Sequence, residues 1–302
     1  MMDGGSSPKR PKVSSEHQTK PTTSCYTSTR DPNLRSSFRD ALLSGYAPDG
    51  GLFVPLGDLP TFSPQELKAM QSLSYLELAE QVLRPFVPLE EVSDTDLEAV
   101  LTKAYAKFDD PARIVQVKRL PTGGYVSELF HGPTQCFKDL GLGVVVAFLS
   151  HFTPPESGTR RTLVVSTTGD TGPAAVHAVV SAANPNLNIL LTYPRGQISE
   201  YQRKQMTTVD SPHLQVVEFE GGGDDMDVCI KAMATDLAFR DKYGICGINS
   251  YNIGRPLAQI VHYFWTVLRV AELEGADFAA EPPVVSAVAH ETSTAAAESE
   301  GG

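Results

Sequence analysis

The chain has 302 residues, of which 41% are hydrophobic and 20% are charged. This composition is typical of a globular protein that can bury a sizeable core, and the length favours two domains over one. The formal net charge is −11, whereas proteins that bind nucleic acids or anionic membranes usually carry a basic surplus. A general nucleic-acid or membrane binder is therefore disfavoured, although a small anionic ligand can still bind through local groups.

The four cysteines are scattered, without a CxxC pair or a matching histidine spacing. This pattern favours reduced thiols in a cytoplasmic protein over a disulfide framework or a zinc site. His131, His177 and His262 share no ligand spacing, so no metal site is predicted. No apolar run approaches the roughly 20 residues that span a bilayer.

Residues 1–24 are rich in Ser, Thr, Pro, Lys and Arg, and this composition predicts a disordered tail. Within the tail, the segment 7–13 has the basic character of a nuclear localisation signal. Short basic clusters also occur often by chance in such tails, and we favour that interpretation.

Residues 25–112 are predicted to form a small, mainly helical domain. It opens with a short strand near Tyr26, and a dense run of glycine and proline over 45–55 marks a tight loop. Ser63, followed by proline and then Glu66, has the spacing of a capping box and predicts a helix start. Two further helical patterns follow and end at a linker-like junction near Pro111.

Residues 113–273 are predicted to form a larger α/β domain, because strands and helices alternate after residue 160. Repeated β-α units of this length indicate a parallel sheet covered on both faces, with ligands at the carboxyl ends of its strands. The predicted strands cover 163–165, 188–193, 214–219 and 244–248, and the predicted helices begin at Pro173 and cover 198–209, 224–243 and 256–273.

One lysine has a placement of chemical value. Lys138 follows a Gly-Pro turn and Phe137, at the start of the apolar segment 140–152. Burial beside apolar groups lowers the pKa of a lysine amine and makes it usable as a nucleophile that forms a Schiff base. The alternative is a lysine that begins a buried helix with its amine in water, and the lysine alone favours that alternative.

The loop over 166–172 leaves a strand and enters a helix. The unpaired amides of a helix start favour an anionic group, and Gly169 and Gly172 allow a ligand to approach the backbone closely. A simple helix cap at Asp170 or Thr171 is an equally good interpretation of the loop alone. The segment 220–225 also holds three glycines, but its acidic residues favour a cap over a phosphate site.

Three segments, in this order, resemble conserved motifs of the threonine synthases, which are pyridoxal phosphate (PLP) enzymes. They are His-Gly-Pro-Thr through Lys138-Asp139, the Ser/Thr/Gly loop 166–172, and Gln-Met-Thr-Thr-Val at 205–209. The loop over 45–52 and the segment from Asn249 to Asn252 resemble the same family. The resemblance implies PLP-dependent fold type II (tryptophan synthase β-like), a parallel sheet with a smaller N-terminal domain.

The resemblance also implies roles for particular residues. Lys138 would hold PLP as a Schiff base and then move protons at Cα and Cβ of the substrate. The loop would contact the cofactor and the substrate carboxylate through Thr168, Gly169, Asp170, Thr171 and Gly172. Further substrate contacts would come from Ser166, Thr167, Asn249, Ser250, Asn252 and Arg255. Of these, Arg255 in particular would bind a phosphate.

The implied substrate is O-phosphohomoserine, which loses its γ-phosphate and takes up water to give threonine. A threonine synthase-like branch instead gives 2-oxobutyrate by phospho-lyase chemistry. The resemblance stops near residue 273, and residues 274–302 are predicted to be a disordered tail. The family's later phosphate loop is not found, so we expect a C-terminally truncated family member. A non-catalytic fragment that binds or regulates a partner stays an alternative, and the oligomeric state is not predicted.

Overall fold

The computed structural model describes residues 25–111, 113–276 and 278. The predicted tail at 1–24 and nearly all of that at 274–302 lie outside these residues. The N-terminal part pairs β1 (Tyr26–Ser28) with β2 (Phe53–Pro55) in antiparallel fashion. Four helices accompany this pair: α1 (Phe38–Ser44), α2 (Pro64–Met70), α3 (Tyr75–Leu83) and α4 (Asp94–Tyr105).

Serine caps begin these N-terminal helices. The predicted capping box at α2 is present, because Ser63 accepts from the amide of Glu66 while the Glu66 side chain accepts from the amide of Ser63. Ser74 and Glu77 repeat the arrangement at α3. Local sequence therefore sets where these short helices start.

An antiparallel hairpin, absent from our predictions, joins the two parts of the chain. Its strands are β3 (Gln116–Arg119) and β4 (Tyr125–Glu128). Gly123 turns the chain with a φ of 93°, in the left-handed region that favours glycine. Both strands are only partly buried, and their sequences lack the alternation of apolar and polar residues that predicts a strand.

The larger part holds a four-stranded sheet in the order β7-β6-β5-β8, with every pair parallel. Its strands are β5 (Arg161–Ser166), β6 (Leu187–Pro194), β7 (Leu214–Phe219) and β8 (Ile245–Gly247). This arrangement confirms the predicted α/β class with a parallel sheet. The α-helices that the described residues of this part form are α5 (Lys138–Phe152), α6 (Thr171–Ala182), α7 (Glu200–Thr207), α8 (Gly223–Thr235), α9 (Leu237–Tyr243) and α10 (Gly254–Glu274).

The sheet buries apolar residues on both faces. Leu163 and Val165 of β5 join the main core, which also contains the buried residues of α5, α6 and α10. Val164, which points the opposite way along the same strand, packs with Ile230 of α8 and Ile245 of β8. Helices on both faces are what a parallel sheet requires.

Several predicted helix boundaries were wrong. The helices predicted over 198–209 and 256–273 differ from α7 and α10 by one or two residues at each end. The helix predicted over 224–243 is divided at Asp236, whose carboxylate accepts from the amide of Phe239 and so begins α9. The helix predicted to start at Pro173 starts at Thr171, because proline is tolerated throughout the first turn. In the described part of the chain, no helix combines the length and apolar character needed to cross a membrane.

Helix α5 lies at the centre of the larger part and carries Lys138 as its first residue. Its buried side chains occur all round the helix, and it packs against α4, α6 and α10. At Gly143 a Cβ would come within 2.9 Å of the carbonyl oxygen of Ala104, so glycine lets α4 approach α5 closely. The start of α5 is therefore held firmly by its neighbours.

Candidate active site

A buried carboxylate fixes the segment that leads into Lys138. Asp139, only 4% exposed, accepts hydrogen bonds from the amide of Thr134 at 2.8 Å and from the hydroxyl of Thr134 at 2.7 Å. Burial raises the pKa of Asp139, and the two hydrogen bonds from Thr134 oppose that effect. At Gly132, a Cβ would lie 2.5 Å from the same carboxylate, so glycine is needed for the close turn.

The Lys138 amine is half-buried at the end of this segment. Its Nζ lies 3.7 Å from the centroid of the Phe137 ring. Burial lowers the pKa of Lys138, and the nearby Arg255 guanidinium lowers it further, while Asp170 and Cys136 act in the opposite direction. The amine is therefore easier to deprotonate than an ordinary lysine, and its side chain is partly shielded from solvent.

The loop over 166–172 lies beside the lysine segment. The thiol of Cys136 is 3.7 Å from the carbonyl oxygen of Asp170, and Gln202 donates to the Asp170 carboxylate at 2.8 Å. Gly169 has a φ of 147°, which favours glycine, and Gly172 leaves no room for a Cβ because Met206 would lie 2.2 Å away. The structure therefore brings the loop and Lys138 to one side of the sheet.

Two backbone amides of the loop donate hydrogen bonds to a side chain of the same loop. The Thr167 hydroxyl oxygen accepts from the amides of Gly169 at 3.1 Å and Gly172 at 2.9 Å. Asp170 occupies the cap position of α6 without making a side-chain cap. Thr168 and Asp170 are exposed, and Thr171 is half-buried. The exposed part of the loop is thus the part that can meet a ligand.

The ends of β5 and β8 are joined by Asn249. Its amide nitrogen donates to the carbonyl of Ser166 at 2.8 Å, and its oxygen accepts from the amide of Ser166 at 3.3 Å. The Ser166 hydroxyl donates to Asp227 at 2.5 Å. Ser250 is exposed at the same edge. Ser166 and Asn249 therefore hold the ends of β5 and β8 together, and their polar groups are already hydrogen-bonded within the protein.

Asn252 is placed differently from the other substrate candidates. It is fully buried, and its amide donates to the carbonyls of Leu42 and Gly247 at 2.8 Å each. Its oxygen accepts from the amide of Gly254 at 3.0 Å. The side chain ties α1 and β8 to the start of α10, so it does not join the residues that face the cleft.

Arg255 is buried, and no carboxylate of the described residues forms an ion pair with it. It is 2% exposed, and its Nη1 donates to the carbonyl of Ile248 at 3.1 Å, whereas its Nε has no hydrogen-bond partner in the described part of the chain. Burial lowers the pKa of Arg255 to about 10. Because an unpaired buried charge is costly, the guanidinium is suited to an incoming anion.

Two glutamines of α7 support the site and were not singled out from the sequence. Gln202 completes the Ser199 capping box and reaches Asp170 with its amide. Gln205 donates to the carbonyl of Thr134 at 3.4 Å. The sequence predicted a helix over 198–209 that contains the motif at 205–209, but it did not predict that side chains of this helix would reach the lysine segment.

A cleft that Pro133 and Asp139 help to line does not include the lysine itself. This cleft of about 640 Å³, open to solvent, lies between α4, α5 and α6 and is lined by Lys107, Asp139, His177 and Ser181 among others. We assign the candidate site by chemistry, because the lysine with the lowered pKa and Arg255, whose Nε has no partner among the described residues, do not line this cleft.

Comparison with known proteins shows which family this chain resembles. Residues 25–105 match the family model described as the threonine synthase N terminus. The chain is 38% identical over 240 residues to threonine synthase-like 2 of Mus musculus, covering 80% of this chain and 49% of that protein. It is 37% identical over 245 residues to the threonine synthase of Pseudomonas aeruginosa, covering 81% of this chain and 51% of that protein.

Solved structures show the same likeness. The PLP-bound threonine synthase of Brucella melitensis has a TM-score of 0.72 at 34% identity, over 83% of this chain and 53% of that one. The yeast enzyme has a TM-score of 0.73 at 31% identity, over 83% and 51%. The chain spans about half the length of the relatives that it matches.

The parallel sheet with a smaller N-terminal part is therefore the fold of a PLP-dependent α/β protein. More particularly, the predicted resemblance to the threonine synthase and threonine synthase-like family is confirmed in both sequence and structure.

Proposed function

We propose that this chain is a PLP-dependent protein of the threonine synthase type, with Lys138 as the residue that holds the cofactor. The observation that carries the proposal is a half-buried amine with a lowered pKa, next to a buried guanidinium without a counter-ion. The PLP-bound structure of the Brucella melitensis relative supports the choice of cofactor. The loop residues Thr168 to Gly172 would contact it.

The residues present fit such a cofactor. PLP supplies an aldehyde for an amine, a phosphate for cationic and amide donors, and a ring that stores electrons released at Cα. Lys138 provides the amine, and the unpartnered Nε of Arg255 provides a donor for an anion. Gly169 and Gly172 let the side chains of Gln202 and Met206 pack directly against the loop, which fixes its backbone beside the lysine segment.

The proposed substrate is O-phosphohomoserine, converted to threonine by loss of the γ-phosphate and addition of water. In this reaction the Lys138 amine moves protons at Cα and Cβ, and its lowered pKa keeps more of it in the basic form at neutral pH. Arg255 would offset the charge of the phosphate. The Phe137 ring over the amine would limit the access of water.

Phospho-lyase chemistry is the competing reaction. The chain is 38% identical to threonine synthase-like 2 of Mus musculus and 37% identical to the Pseudomonas aeruginosa threonine synthase, so similarity does not choose between the two. Products decide the question: threonine from O-phosphohomoserine supports the synthase reaction, and 2-oxobutyrate with phosphate supports the lyase reaction.

The experiment that tests the proposal is chemical trapping. The purified protein is mixed with PLP and reduced with borohydride, and the modified residue is located by peptide mass. We expect the label on Lys138, and its loss in Lys138→Ala, whereas Lys107→Ala keeps it because Lys107 is exposed on the opposite side of the segment. Uniform labelling of surface lysines, or a colourless protein that still binds a partner, would instead support a binding or regulatory fragment.

A further inference from the structure

Helix α8 lies against the loop over 166–172. At Gly223, the first residue of α8, a Cβ would come within 2.7 Å of Cγ2 of Thr168. One turn further along the same face, the Asp227 carboxylate accepts a hydrogen bond from the hydroxyl of Ser166 at 2.5 Å. Ser166 is the last residue of β5. The helix therefore contacts the loop both where it begins and in its exposed part.

The bond to Asp227 determines what the Ser166 side chain can do. Ser166 is only 6% exposed, and its hydroxyl oxygen accepts from Nδ2 of Asn249 at 3.4 Å while its proton goes to Asp227. A hydrogen bond to a carboxylate is shorter and stronger than one between neutral groups. The serine that precedes the loop is therefore held in one orientation from two sides.

Asp227 is not needed to attach α8 to the sheet. Met226, Ile230 and Ala234 bury the apolar face of the helix, and Ile230 packs against Val164 of β5. Asp227 itself is exposed, and no basic side chain of the described residues forms an ion pair with it. The carboxylate therefore acts chiefly on the Ser166 hydroxyl.

We propose that Asp227 is a positioning residue of the candidate site, which acts on the loop over 166–172 through the Ser166 hydroxyl. The inference rests on the proposed function, because this loop is the part of the chain that would meet the cofactor. Fixing the point at which the loop leaves β5 fixes the residues that follow, among them Asp170, whose charge raises the pKa of Lys138. Asp227 lies in a predicted helix but outside every motif that the sequence singled out.

Hydrogen exchange of the protein without cofactor tests this role. The loop and the end of β5 contain hydrogen-bonded amides that report its opening, those of Ser166, Thr167, Gly169 and Gly172. In Asp227→Ala we expect the peptide over 166–172 to exchange about fivefold to thirtyfold faster, because the serine loses a charge-assisted hydrogen bond. Asp241→Asn removes an exposed acid of α9 and should leave this exchange unchanged.

A rescue and a double variant show whether Asp227 acts through Ser166. Asp227→Asn keeps an oxygen that accepts the serine proton, so we expect exchange within about threefold of wild type. Ser166→Ala removes the donor and should resemble Asp227→Ala. The double variant should exchange no faster than either single variant, because both remove the same interaction.

Four results would overturn the inference. Unchanged loop exchange in Asp227→Ala excludes the role, and faster exchange confined to α8 would show that the carboxylate only fastens the helix. Additive effects in the double variant would mean that Asp227 does not act through the hydroxyl. Exchange in Asp227→Asn as fast as in Asp227→Ala would assign the effect to the negative charge instead of the hydrogen bond.

The cofactor gives a second readout. PLP affinity, measured by absorbance titration, should fall about threefold to tenfold in Asp227→Ala and stay unchanged in Asp241→Asn. The two proposals fail separately. Label on Lys138 with loop exchange or PLP affinity unaffected by Asp227→Ala removes only this inference. Faster loop exchange in that variant, without label on Lys138 in the wild-type protein, removes only the proposed function.

Discussion

At the scale of single residues, the segment around Lys138 is organised by hydrogen bonds that a linear motif does not show. His-Gly-Pro-Thr and Lys-Asp look like independent parts of a signature, yet Thr134 and Asp139 are bonded to each other by two contacts. The acidic residue therefore acts on the backbone that presents the lysine. Its effect on Lys138 is positional, because Asp170, not Asp139, is the carboxylate that raises the lysine pKa.

The Thr134 hydroxyl should contribute measurably to stability. Thr134→Val removes the 2.7 Å hydrogen bond and leaves one oxygen of the buried Asp139 without that donor. We expect the free energy of unfolding in urea to fall by about 1 to 3 kcal/mol. Thr134→Ser keeps the hydroxyl and serves as the control; a similar loss in both variants would point to packing of the Thr134 methyl group instead.

At the scale of elements, helix starts were predictable where one side chain caps its own helix. Ser63 and Glu66 are three residues apart, so the motif and the structure contain the same information. The division between α8 and α9 was missed because the segment 224–243 was predicted as one continuous helix. In the structure Asp236 has an extended backbone and caps α9.

The cap at Asp236 gives a test at this scale. Asp236→Ala removes the acceptor for the amide of Phe239, which lies 3.0 Å from the carboxylate. We expect a loss of about 1 kcal/mol in the free energy of unfolding, measured by denaturant titration. Asp241→Ala, in the same helix but exposed, should change it by less than about 0.5 kcal/mol. Equal effects of the two variants would contradict the capping role.

At the scale of the whole molecule, buried histidines link stability to pH. Burial lowers the pKa of His262 from 6.5 to about 4, and burial also lowers the pKa of His177. Between pH 6.5 and about pH 4, His262 binds a proton in the unfolded chain but not in the folded protein. The contribution of neutral His262 to the free energy of unfolding is therefore fully present above pH 6.5 and is lost as the pH falls toward 4.

The contribution of His262 can be isolated by substitution. We expect the free energy of unfolding to decrease by up to about 1.4 kcal/mol per pH unit for this one group as the pH falls through the window. His262→Gln does not titrate, and its profile, measured by urea unfolding at a series of pH values, should be flatter. An equally steep profile in the variant would assign the effect to other groups.

The sequence by itself determined what depends on near neighbours. Apolar spacing and polar loops predicted the alternation of strands and helices and the parallel sheet, because these features follow from local periodicity and turn chemistry. After Lys138 they predicted only a buried apolar segment over 140–152. The motifs also indicated the family, which the comparisons confirm. The roles predicted for the loop and the asparagines stay predictions.

Only the tertiary structure decided which distant groups meet. The packing of α10 on α5 places Arg255 and Gln259 against Gly141. The side chain of Asn252 is bonded to backbone groups of α1, β8 and the start of α10. No local pattern encodes these contacts, because each depends on how the helices and the sheet pack together. Whether a polar side chain is satisfied or left to bind a ligand is therefore settled only when the core is assembled.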